Sequence, residues 1–166
     1  MKTLVIIDMQ DFYLEEGSIV GSKDSLEISI LKSNIVSLIQ KFMDNNYPII
    51  LVEYGGSGRT NKYILDAISG YDNCYNATKY KCDGSAEIIE IINTLNLPKN
   101  INVCGVYSDQ CVKDSVIGLL KKDSSIEIEF HEECVWPFTN DLNVGYGIDH
   151  RVKSLCFSKT GVVPVF

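Results

Sequence analysis

Apolar positions along this chain alternate between short continuous runs and longer stretches with helical spacing. The run TLVIID (residues 3–8) is apolar from its second residue until its closing acid, which predicts a strand buried on both faces. Over residues 25–46, Ile28, Leu31, Ile35, Leu38, Ile39 and Phe42 recur at helical intervals and predict the clearest helix. YPIILVEY (47–54) predicts a second buried strand, followed by the Gly-rich loop GGSGRT. A short helix is expected over 60–69 and a weaker strand at CYNATKY (74–80). Ile88, Ile91, Ile92 and Leu95 predict a helix over 85–96, closed by Pro98. INVCGV (101–106) predicts the next strand, and Val112, Val116, Leu119 and Leu120 a helix over 108–122. IEIEF (126–130) alternates, as a strand nearer a sheet edge does. A loop is expected through HEECVWPFTNDLN, then a helix over about 145–155. GVVPVF (161–166) is the expected last strand, placed at the edge by Pro164.

Strands alternating with helices predict an α/β fold, a parallel sheet with helices on both faces and right-handed crossovers. Neither repeats nor a linker interrupt the pattern, so a single domain over 1–166 is expected. In such sheets, chemistry gathers at the carboxyl ends of the strands.

Composition narrows the function classes. The net charge of −7 provides no basic stripe for nucleic acid. Asp8 interrupts the apolar opening, which argues against a signal peptide, and no run approaches the roughly 20 residues of a membrane span. A cytoplasmic protein is expected. The six cysteines (Cys74, Cys82, Cys104, Cys111, Cys134 and Cys156) would then be reduced. No Cys-x-x-Cys or His-x-x-x-His spacing occurs, so no structural zinc site is expected.

Three reactive side chains fall at the predicted strand ends. Asp8 closes the first strand, Lys79 the third, and Cys111 opens the helix after the fourth. A helix start favours a thiolate, a carboxylate can accept its proton, and a lysine can hold that carboxylate ionised. On this reading iodoacetamide would label Cys111 ahead of the other five cysteines. Each residue also has an ordinary structural role open to it: a capping Asp, a solvated Lys, a buried thiol. Spacing alone does not decide between them.

Several segments together carry a family resemblance. LVIIDMQ, NYPIILVEY, TKYKCDGS and VCGVYSDQCVKDSV occur in the order found in the isochorismatase-like cysteine hydrolases, which include nicotinamidases and carbamoyl-amide hydrolases. The chain resembles that family over almost its whole length, His150 to Leu155 resembling the last helix. The resemblance implies a three-layer fold with a six-stranded parallel sheet of order 3-2-1-4-5-6. It implies Asp8, Lys79 and Cys111 as the catalytic triad, with Lys81 a rival for Lys79. It further implies a cis peptide at Val106–Tyr107 and an oxyanion hole from the Tyr107 and Cys111 N–H groups. The substrate would be a small amide, no cofactor would be needed, and the chain would form a homo-oligomer.

The departures bear on the substrate. VEYGGSGRTNKY contains no histidine where nicotinamidases carry metal-binding histidines, so no metal is expected. Candidate pocket residues are Phe12, Tyr13, Tyr54, Tyr107, Trp136 and Phe138, with Trp136 equally readable as a subunit contact. Arg59 is a weaker candidate for a substrate carboxylate and reads better as a surface residue. The alternative function is a protein of this fold without catalysis, binding a small molecule or partner through the same cavity. The presence of Asp8, Lys79 and Cys111 together argues against it.

Overall fold

Runs apolar throughout become strands, and helically spaced runs become helices. The structure is a computed structural model and describes residues 1–14, 25–136 and 150–155. The strands are β1 (Thr3–Ile7), β2 (Ile49–Tyr54), β3 (Cys74–Lys79), β4 (Asn100–Val106), β5 (Glu127–Trp136) and β6 (Val152–Leu155). The helices are α1 (Asp11–Leu14), α2 (Ser25–Asp44), α3 (Lys62–Ala67), α4 (Ser85–Thr94) and α5 (Cys111–Lys122). All strand pairs are parallel, and the sheet runs β3-β2-β1-β4-β5-β6, the expected order.

Alternate residues of each strand feed two cores. Leu4, Ile6, Ile49, Leu51, Cys104 and Val106 pack with α2 and α3 on one face. Val5, Ile7, Ile50, Val52, Ile101 and Val103 pack with α4 and α5 on the other. Leu31, Ile35, Leu38 and Ile39 of α2 are wholly buried, each side chain contributing about 1.5–3 kcal/mol of burial. No helix among the described residues is long and apolar enough to cross a membrane.

Two expectations change. The helix expected over 145–155 is replaced at its end by β6, Val152–Leu155, which pairs with β5. The sixth strand therefore precedes GVVPVF, and 161–166 lies outside the described residues. β5 does not stop at 130 but runs to Trp136, and it lies beside the edge strand β6, nearer the sheet edge as expected. An irregularity accounts for the extension: Val103 pairs with Phe130 but Gly105 with Val135, so β5 bulges across His131–Cys134. The short helix α1 has no counterpart in the sequence pattern.

Gly105 is fixed by the close approach of β1. Its φ is 123°, and an added Cβ would fall on the Ile7 carbonyl, far inside van der Waals contact. Gly105→Ala is expected to cost more than about 4 kcal/mol, read as a lost or sharply lowered urea transition. A wild-type transition would contradict this packing.

Candidate active site

Each of the three strand-end residues is placed by backbone geometry. Asp8 follows β1 with a φ of 54°, a left-handed conformation that Asp tolerates better than most residues. Its N–H donates to the Val52 carbonyl at 2.9 Å, which holds Asp8 against β2. Lys79 is the last residue of β3, opposite Tyr54 in register. Cys111 is the first residue of α5, directly after the turn that follows β4. The Val106–Tyr107 peptide leading into that turn is cis.

These three side chains converge. Lys79 Nζ lies 2.8 Å from Asp8 Oδ2, and the two side chains are 0% and 1% exposed. The Cys111 thiol is within hydrogen-bonding reach of both. Neither Asp8 oxygen meets a donor in regular hydrogen-bond geometry, so the Asp8–Lys79 contact is chiefly ionic. Lys79 Nζ also donates to the carbonyls of Lys81 at 3.2 Å and Cys82 at 3.3 Å. The Tyr54 ring centroid stands 4.8 Å from the same ammonium. The lysine thus has partners on several sides, while among the described residues the carboxylate has only the ammonium and the thiol.

The electrostatics follow from this burial. Burial pushes the Asp8 pKa up, and the Lys79 charge only partly offsets it. Burial opposes the Lys79 charge, but Asp8 outweighs it and the lysine pKa ends above its usual value. Burial and then the Asp8 charge push the Cys111 thiol well above the usual range, with Lys79 acting in the opposite direction. These shifts favour an ammonium and a carboxylate beside a protonated thiol. Burial and the Asp8 charge thus act against the helix start, which favours a thiolate. Cys82 is exposed whereas Cys111 is 7% exposed, so iodoacetamide at neutral pH is expected to label Cys82 before Cys111. Peptide mapping over a labelling time course checks this, and first labelling at Cys111 would contradict it.

The structure separates the two lysines. β3 ends at Lys79 and the chain bends at once, so Lys81 leaves the strand and is exposed. The loop between them and α4 is clasped to α5: Gly84 N–H donates to Ser115 Oγ at 2.9 Å, and Ser115 Oγ donates to the Cys82 carbonyl at 3.3 Å. A side chain at Gly84 would meet the Lys79 stem.

The aromatic candidates form a chain of edge-on rings. Phe12 to Tyr13 is 5.1 Å, Tyr13 to Tyr107 is 6.0 Å and Tyr107 to Trp136 is 5.6 Å between centroids. Tyr13 lies close enough to feel the charges of Asp8 and Lys79 and stands near the Cys111 thiol. Phe12, at the far end of the chain, is 48% exposed. Trp136 closes β5 instead of belonging to a loop, and its Nε1 donates to Glu27 at 3.2 Å. Phe138 lies outside the described residues. Arg59 is at the surface, 76% exposed and 3.9 Å from Glu53. Among the described residues no group of three or more His, Cys, Asp or Glu side chains could hold a metal ion.

Gln10 was missed by the sequence reading. Wholly buried, it accepts from Tyr54 N at 2.7 Å and donates to the carbonyls of Tyr54 at 3.0 Å and Gly58 at 2.6 Å. It therefore fixes the end of β2 that carries the Tyr54 ring and the loop after it. Its only signal is its place two residues after Asp8.

Comparison with known proteins then gives the lineage. The isochorismatase domain model matches residues 2–144. The chain belongs to the isochorismatase family. No curated protein matches this family member by sequence. Its fold is similar to a nicotinamidase from Staphylococcus aureus at 14% identity and TM-score 0.74, covering 93% of this chain and 98% of that one. It is similar to an N-carbamoylsarcosine amidase from Thermoplasma acidophilum at 15% identity and TM-score 0.71, covering 92% and 94%. It is also similar to a ribonuclease from Caenorhabditis elegans at 16% identity and TM-score 0.72, covering 96% and 78%. Such distant likenesses establish the isochorismatase fold, and activity has to be argued from the site.

Proposed function

We propose that this isochorismatase-family protein is a cysteine hydrolase that cleaves a small amide or carbamoyl-type C–N bond. The supporting observation is the convergence of Asp8, Lys79 and Cys111 at the carboxyl ends of β1, β3 and β4. Two of the similar structures, the nicotinamidase and the N-carbamoylsarcosine amidase, support this substrate class.

The resting protonation state sets the order of events. As Cys111 Sγ attacks the carbonyl carbon, its proton passes to Asp8, whose raised pKa suits it as acceptor. The carbonyl π electrons move to oxygen, and the Tyr107 and Cys111 N–H groups stabilise that oxyanion. Cys111 suits this role because it opens α5, where backbone N–H groups have no helical partner. Collapse of the intermediate breaks the C–N bond, and Asp8 returns the proton to the departing amine. Water then attacks the thioester-like intermediate, giving one proton to Asp8, and the acid leaves as the thiol is reprotonated. Lys79 stays charged throughout and keeps Asp8 ionised at the start of each half-reaction. The scheme needs no cofactor. Tyr13, Tyr54, Tyr107 and Trp136 supply an aromatic wall beside the reacting carbon.

An ammonia-release screen over small primary amides and ureido acids tests the reading, with Cys111→Ala as control. The expected result is release by the wild-type protein on at least one substrate and none by the variant. Release at equal rates by both proteins would overturn it.

A further inference from the structure

The two faces of the sheet differ in one corner. On the α4–α5 face, β4 and β5 present Ile101, Val103, Ile128 and Phe130. On the α2 face, the neighbouring positions hold Asn102, Glu129 and His131, which are 1%, 9% and 5% exposed. Burying three polar side chains on a sheet face costs stability unless each is bonded, and the fold itself does not require them. They are joined in a chain. Lys2 Nζ donates to Glu129 Oε2 at 2.5 Å, Asn102 Nδ2 donates to the same oxygen at 3.0 Å, and His131 Nε2 is 2.7 Å from Asn102 Oδ1. A carboxylate only accepts, so the Asn102 amide must present its oxygen to His131, whose Nε2 carries the proton.

This chain forms one wall of a cavity of about 240 Å³ under the carboxyl end of α2. Leu38, Phe42 and Tyr47 supply apolar surface, and Lys2 and Lys41 line the same space. The Lys41 ammonium and the Tyr47 hydroxyl have no partner among the described residues. Burial and then the Lys41 charge hold the His131 pKa down at about 4, so the imidazole is neutral and adds no charge of its own to the cavity. Glu129 is already held by Lys2 and Asn102, and Glu133 also lies within electrostatic reach of His131. Asn102 lies near the start of β4 and Cys111 beyond its far end, so this is not the thiol site.

We propose that this cavity binds a small organic anion, its carboxylate held by Lys41 and Tyr47 and its apolar body resting on Leu38 and Phe42. Donors without partners at the rim and apolar surface beneath are the arrangement such a ligand needs. The site is independent of the proposed hydrolase activity.

The protein has two histidines, so the His131 ring signals can be followed by NMR once a His150→Gln variant has identified the other. The probes are benzoate, benzyl alcohol and inorganic phosphate. Benzoate is expected to shift the His131 signals saturably, with Lys41→Met weakening binding about tenfold or more and Cys111→Ala leaving it unchanged. Lys41 is exposed, so its variant should melt with the wild type. The proposal is overturned if benzoate gives no saturable shift, or if benzyl alcohol or phosphate binds as tightly as benzoate. Binding that survives Lys41→Met but is lost in Cys111→Ala would also overturn it, placing benzoate at the thiol.

Discussion

Lys79→Met is expected to destabilise the protein by about 3–5 kcal/mol, measured by urea denaturation. Methionine keeps the length of the side chain and its apolar stem but removes the charge. The Asp8 carboxylate is 1% exposed, so solvent cannot take the place of the ammonium 2.8 Å away. Among the described residues the thiol of Cys111 is the remaining donor within reach, and a thiol is a weak one. Asp8 must then take up a proton to stay buried, and the folded state loses the charge that Lys79 maintained. The complementary variant Asp8→Asn leaves a buried ammonium, still held by the Lys81 and Cys82 carbonyls and the Tyr54 ring. Its cost is expected to be the smaller of the two. Combining the substitutions removes both charges, so the double variant should recover most of the lost stability while regaining no activity. Costs below about 0.5 kcal/mol for Lys79→Met, the range of surface substitutions, would mean that the ion pair is not buried as described.

Cys111→Ala is expected to do the reverse. The substitution deletes one sulfur beside Asp8 and Lys79 and leaves that ion pair intact. A cost near 1 kcal/mol corresponds to a melting-temperature change of about 2–4 °C for a domain of this size. Amide hydrolysis should fall by about 10⁴-fold or more, as for loss of a nucleophile in other covalent hydrolases. A large stability loss with retained turnover would make Cys111 a core residue instead of a nucleophile. The two variants together are expected to separate the parts of the site, with the stability loss at Lys79 and the loss of the proposed chemistry at Cys111.

Most of the architecture could be read from residue pattern because the central strands are buried on both faces. β1, β2 and β4 are apolar nearly throughout, and a short run of that kind fits a central strand better than any other element. The misreadings occur where polar residues enter the sheet. In IEIEF the alternating acids suggest a solvent face, yet Glu129 is buried against Asn102 and Lys2. The bulge at His131–Cys134 carries β5 through HEE, which periodicity reads as loop. β6 lies at the sheet's edge, and VKSL has too little apolar content to announce a strand. α1 spans a single turn and has no period to detect.

At the site, the convergence of Asp8 and Lys79 followed from the parallel sheet, because residues at the carboxyl ends of its strands share one rim, here with β2 between them. The choice of Lys79 over Lys81 did not follow. It depends on β3 ending at residue 79, and boundaries are what patterns locate least well. The state of the thiol was equally hidden. A helix start argues for the thiolate, while burial beside a carboxylate argues for the thiol, and only the depth of Cys111 decides between them.

Trapping the intermediate tests the central claim most directly. With an amide identified by the ammonia screen, turnover is quenched in acid and the intact protein is weighed by mass spectrometry. The expected result is a wild-type adduct equal in mass to the acyl or carbamoyl group, mapping to Cys111 and absent from Cys111→Ala. Steady turnover with no mass on any sulfur, continuing in Cys111→Ala, would contradict it.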